Sequence, residues 1–207
     1  EQIGELSSKE DFDHYNFYKG TILALEGMIA FANNYADEAE RLSKECTDEK
    51  RKQELLDIAK ICRKVPAEPS ETFREAIQSF WFTQLIIFIE LNGRGMSPGR
   101  FDQYMYRPYL NEISAGKITD DEVLEYLELL RIKCTELTRA HATFTESYLG
   151  GSIYQNMTLG GVDRYGRPAE NQISYLVLKA GINVRTWQPT ISVRWREDMS
   201  EDFKVAV

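Results

Sequence analysis

The sequence is poor in the residues from which metal and redox sites are usually built. It holds two histidines, His14 and His141, and three cysteines, Cys46, Cys62 and Cys134, in 207 residues. The cysteines lie far apart, form no CxxC pair and have no companion histidines, so nothing here has the spacing of a zinc site. An odd number of such thiols fits free cysteines in a reducing compartment, each read as a small buried apolar residue. Basic charge is also scarce. The 25 Lys and Arg against 33 Asp and Glu leave a formal net charge of -8, which argues against a nucleic-acid or anionic-membrane surface. The apolar run Phe80 to Ile89 is shorter than the roughly 20 residues a bilayer requires. No signal-peptide pattern opens the chain. Together these absences point to the cytoplasm.

What is present is an ordinary globular composition, 43% hydrophobic and 28% charged, with enough length for one sizeable core and one domain as the default. Apolar residues at helical spacing from Phe12 to about Lys44 predict a long helix with Phe17, Ile22, Leu25, Ile29, Ala32 and Ala36 inward. Thr47-Asp48-Glu49 caps a second helix reaching Arg63. After the rigid connector Val65 to Pro69, Thr72 and Glu75 form a capping box. The helix from Phe73 to about Leu91 is apolar all round, as a core helix is. A glycine-rich loop runs from Asn92 to Arg100. Next comes a short aromatic helix, FDQYMYRPYL, interrupted at Pro108. An acidic helix capped by Thr119 and Glu122 extends to about Arg139, and Tyr148 to Gly151 reads as a break. A strand at Gln155 to Leu159, a helix from about Ala169 to Ala180 and a strand at Ile191 to Trp195 make one βαβ unit, expected to be parallel. One such unit needs strand neighbours that the chain does not contain. Ser200 caps a final helix that stops at Val207, and residue 1 is Glu, so both ends read as boundaries of a larger polypeptide.

At the glycine loop the sequence becomes recognisable. The stretch Phe73 to Leu110 closely resembles glycyl radical enzymes of the pyruvate formate-lyase and diol-dehydratase kind. The most specific part is NG-x-x-x-S-x-GR-x-DQY, carried by Asn92, Gly93, Ser97, Gly99, Arg100, Asp102, Gln103 and Tyr104. The resemblance continues through QNMTLGG (Gln155 to Gly161), NQISYLVLK (Asn171 to Lys179) and QPTISVR (Gln188 to Arg194). It implies an α/β, helix-rich fold forming part of a ten-stranded α/β barrel, with the 207 residues a single partial domain inside it. It implies an anaerobic radical lyase, dehydratase or decarboxylase acting on a small substrate. The expected cofactor is an organic glycyl radical outside this segment that a separate S-adenosylmethionine and iron–sulfur activating enzyme installs, and the expected assembly is a homodimer. None of the three cysteines has the Gly-Cys-x-Glu setting of the family's thiyl residue, and no glycine has the RVxGY-type setting of its radical loop. Both are expected beyond Val207. No bound cofactor and no catalytic residue are therefore expected within this chain.

The resemblance also nominates a substrate contact. Diol-dehydratase-like relatives usually read Asn-Gly-His-Ser where this chain has Asn92-Gly93-Arg94-Gly95, so Asn92, Arg94 and Gly95 are the candidate substrate-binding residues. Arg94 replaces an imidazole with a permanent cation carrying five donors. It either faces the pocket, pairing with a carboxylate or similar group of the substrate, or turns away to a structural carboxylate. Arg100 and Asp102 are expected to tie the loop to the next helix, and Tyr104, Tyr106 and Tyr109 to pack in the core. His141 is expected to be a packing histidine. Asn156 and Gln188, at strand ends, are read as amides that satisfy backbone. Two other readings stay open: a non-catalytic helical interaction module, and one subunit of a split enzyme.

Overall fold

A computed structural model describes residues 9–91, 95–137 and 154–207. They form two compact units, one ending at Pro69 and the other running from Ser70 to Val207. In the first, α1 (Lys9–Glu45) packs on α2 (Glu49–Lys64). The α2 start is fixed by Asp48, whose carboxylate accepts the Arg51 amide at 2.8 Å, as capping requires. Small side chains bring the helices together: Ala32, Ala36, Ala39 and Ser43 of α1 and Ala59 of α2 are buried. The inward assignment holds for that half of α1 only, since Phe17, Ile22 and Leu25 are exposed.

The second unit contains α3 (Phe73–Leu91), α4 (Phe101–Ile113), α5 (Asp120–Glu136), β1 (Asn156–Gly160), α6 (Gln172–Val184), β2 (Thr190–Arg194) and α7 (Glu201–Ala206). The two described strands pair in parallel, so the βαβ reading is borne out. The architecture is helix-rich α/β. The predicted boxes form as well. Glu75 N–H donates to Thr72 Oγ1 at 3.1 Å while the Glu75 carboxylate accepts the Thr72 amide. Thr119 and Glu122 do the same at α5. Asn171 and Ser174 make a third box, which starts α6 at Gln172, three residues later than the sequence suggests.

Two expectations are corrected. Pro108 does not interrupt α4, which continues to Ile113; proline removes a single backbone hydrogen bond there, while Phe101, Met105 and Tyr109 anchor the helix in the core. The apolar α3 is not enclosed on all sides, because Ile89 and Leu91 at its end are exposed among the described residues. The core of this unit gathers Phe73, Phe101, Val123, Leu127, Leu159, Ile173 and Val177 from α3 to α6 and β1. Burying each such side chain contributes about 1.5–3 kcal/mol. His141 and the break at 148–151 lie outside the described residues.

Candidate functional site

The sheet has two unlike faces because side chains alternate along a strand. Met157 and Leu159 of β1 are buried, and Ile191 and Val193 of β2 pack with them against the helical core. The intervening residues point the other way. Register places Asn156 opposite Thr190, Thr158 opposite Ser192 and Gly160 opposite Arg194, and Thr190, Ser192 and Arg194 are exposed. Among the described residues of the two strands, the face turned away from the helices of this unit is thus an amide, three hydroxyls and a guanidinium, with no carboxylate. In α/β proteins function gathers at the carboxyl ends of parallel strands. This face and its Gly160–Arg194 end are the candidate site.

The glycine loop is what holds that face in place. Gly99 bridges Met157 on the side of β1 away from β2, with the Thr158 amide donating to the Gly99 carbonyl at 2.7 Å. Ser97 Oγ accepts the Asn156 amide at 3.2 Å. The Arg100 guanidinium donates to the carbonyls of Gly160 (3.0 Å) and Val162 (2.7 Å). Asp102, wholly buried, accepts the Gly160 amide and the Ser174 hydroxyl, both at 2.6 Å. Gln103 donates to the Ala169 carbonyl at 2.7 Å, and the Tyr104 hydroxyl to the Pro98 carbonyl at 2.9 Å. Every described side chain of the loop pattern thus serves as a clasp. Arg100 and Asp102 are structural, as expected, but their partners are the end of β1, Val162 and Ser174 of α6 and not the helix that follows the loop.

A buried chain of amides braces the other end of the sheet. Gln84 donates to the Met96 carbonyl (2.7 Å) and to Gln155 Oε1 (3.2 Å), and Gln155 donates to the Cys134 carbonyl (2.7 Å). Gln188 Oε1 accepts the Gln155 amide at 2.9 Å, so the backbone-satisfying reading of Gln188 holds. Asn156 differs. Its Oδ1 accepts the hydroxyls of Thr190 (3.2 Å) and Ser192 (2.8 Å) across the open face. Buried Arg131 secures the segment before β2 by donating to Thr186 and Pro189 carbonyls.

Of the nominated contacts, Asn92 and Arg94 lie outside the described residues. Gly95 is exposed, with φ +73, a backbone that favours glycine. Thr158, Thr190, Ser192 and Arg194 were not singled out from the sequence, although their alternation with Met157, Leu159, Ile191 and Val193 is the signal that marks them. No cysteine sits on this face. Cys62 and Cys134 are buried in helices and Cys46 follows α1; burial pushes the Cys134 thiol up to about 12, with Arg131 opposing. Among the described residues no cluster of ligands could hold a metal ion, and no helix is long and apolar enough to cross a membrane. A groove of about 740 Å³ between α3 and α4, lined by Ser79, Phe80, Thr83, Tyr104 and Arg107, lies on the helices and not on the sheet face.

Known proteins match more than nine-tenths of the chain. The chain is 39% identical over 189 residues to an indoleacetate decarboxylase of Tractidigestivibacter scatoligenes, covering 91% of this chain and 21% of that protein. It is 34% identical over 194 residues to an isethionate sulfite-lyase of Bilophila wadsworthia, covering 91% and 23%. A solved structure concerned with 1,2-propanediol dehydration in Roseburia inulinivorans superposes with a TM-score of 0.94 at 33% identity, over 98% of this chain and 24% of that one. The chain therefore spans about a quarter of the length of these relatives. The pyruvate formate lyase-like family model matches residues 1–207, and with the glycine-loop clasp and the parallel βαβ unit in place the chain belongs to that family, within the glycyl radical enzymes.

Proposed function

We propose that these 207 residues are part of a longer glycyl radical enzyme, an anaerobic lyase, dehydratase or decarboxylase acting on a small substrate. The observation that carries this is the match of 91% of the chain to relatives named as a decarboxylase and a sulfite-lyase, within a family model that spans residues 1–207. In this reading both compact units belong to one domain, and β1, β2 and the Gly99 bridge are consecutive pieces of a barrel wall whose open polar face looks inward. The thiyl cysteine and the radical glycine lie outside this chain. None of the three cysteines lies in β1 or β2, and Cys134 is buried in the helical core, which supports that.

Asn92, Arg94 and Gly95 contact the substrate in this proposal, with Arg94 facing an anionic group. Two relatives carry names with acids in them, indoleacetate and isethionate. A separate activating enzyme using S-adenosylmethionine and an iron–sulfur cluster installs the radical, and the enzyme works as a cytoplasmic homodimer. Clasped by Arg100 and Asp102, the sheet end would hold its shape while water is kept from the radical.

The test is anaerobic incubation of the full-length polypeptide with such an activating enzyme, followed by electron paramagnetic resonance. A glycyl radical doublet is the expected result. No doublet, under conditions in which the activating enzyme radicalises a known relative, overturns the proposal.

A further inference from the structure

Arg194 ends β2 on the open face, and its side chain is held in an unusual way. Its stem lies across Gly161, where a Cβ would stand 3.0 Å from Arg194 Cδ and 3.2 Å from Nε. Gly161 has φ +83 and follows Gly160 at φ +68, so the chain turns under the arginine and leaves it a seat only because side chains are absent there. The other cations at this end of the sheet have partners. Arg100 donates to Gly160 and Val162 carbonyls, and Arg196 pairs with Asp198. The Arg194 guanidinium has no hydrogen-bond or ion-pair partner among the described residues, and neither has the Thr158 hydroxyl, two residues before Gly160 on the same face.

We infer that the carboxyl end of the β1–β2 pair is an oxoanion site, in which Arg194 supplies the charge and Thr158 a neutral donor to a carboxylate or sulfonate of a small molecule. The chemistry favours this class. The guanidinium fork matches two oxygens of a planar or tetrahedral oxoanion. Among the described residues of the two strands, the face offers hydroxyls and an amide but no carboxylate to neutralise the cation. The site also lies where parallel strands of α/β proteins place their ligands. Gly161 is its positioning residue, because its bare Cα sets where the arginine stem rests. The inference rests on the proposed function, which it deepens by adding Arg194 to Arg94 as a second arginine for the acid group of the substrate.

Binding is measured on the full-length protein without activation, by calorimetric titration with indoleacetate, with isethionate and with neutral 1,2-propanediol. At least one anion is expected to bind the wild type. Its affinity should fall about 10- to 100-fold in Arg194→Gln, the range for a charged hydrogen bond lost, and less in Arg194→Lys and Thr158→Val, with binding of the diol unchanged. Equal loss for the diol in all three variants marks a structural role, and unchanged anion affinity in Arg194→Gln marks a bystander. Either overturns the site, as does failure of both anions to bind the wild type. If Arg194→Gln does not fold, the Lys and Val variants decide. Radical formation in the wild type is scored separately. A doublet with unchanged anion affinity sinks this site alone, and no doublet sinks the proposed function alone.

Discussion

Asp102 and Gly160, far apart in the chain, meet where the buried carboxylate accepts the backbone amide at 2.6 Å. The same oxygen takes the Ser174 hydroxyl, so one side chain joins α4, the end of β1 and the first turn of α6. Replacing it with alanine leaves two buried donors unpaired. Asp102→Ala is expected to lower unfolding free energy by about 3 kcal/mol, and Ser174→Ala by about 1 kcal/mol, read from denaturant midpoints. Equal stability of Asp102→Ala and wild type would refute the clasp.

Gln155 is wholly buried and bonded through its side chain to Gln84 and the Cys134 carbonyl. Gln155→Leu keeps the volume but strands both partners, so a loss of about 2–3 kcal/mol is expected. A fully tolerated leucine would mean that the amide chain adds nothing to stability.

Gly161→Ala tests the seat of Arg194 directly. The left-handed backbone costs about 1–2 kcal/mol for a side chain, and the new methyl would press on the arginine stem at 3.0 Å. A loss of that size, with the Arg194 guanidinium displaced in a crystal structure of the variant, is expected. A variant as stable as wild type, with Arg194 in place, would contradict the close approach.

Cys134 gives a pH signature. Burial raises its thiol to about 12 in the fold, from 9.0, so folding favours the protonated form. The stabilisation from this group is fully present below about pH 9 and is lost as pH rises towards 12. Alkylation at pH 8 should modify Cys46 first, and Cys134 only on unfolding. Rapid labelling of Cys134 in the folded protein would contradict its burial.

Much of the helical framework was legible because caps and amphipathic spacing are local. Asp48, Thr72, Thr119 and Ser200 each announce a helix start that the structure bears out. Pro108 misled because the local rule counts one lost hydrogen bond and not the core contacts of Met105 and Tyr109. The alternation in TISVR announced two faces of a strand. It could not say which was covered, since that depends on α4 and α6 packing from elsewhere in the chain. Ser97, Arg100, Asp102 and Gln103 were visible as a pattern, yet their partners, Asn156, Gly160, Ser174 and Ala169, lie in distant segments that a single sequence does not pair.

The Gly99–Met157–Ile191 alignment also bears on how the molecule assembles. The bridge and the two strands come from stretches widely separated in the chain, so their pairing forms only after long loops have closed, whereas α4 and α5 can begin from neighbouring residues. During refolding, amide protons of α5 should become protected from exchange before those of Thr158 and Leu159. The sheet face that carries the proposed chemistry is then among the last parts of the protein to exist.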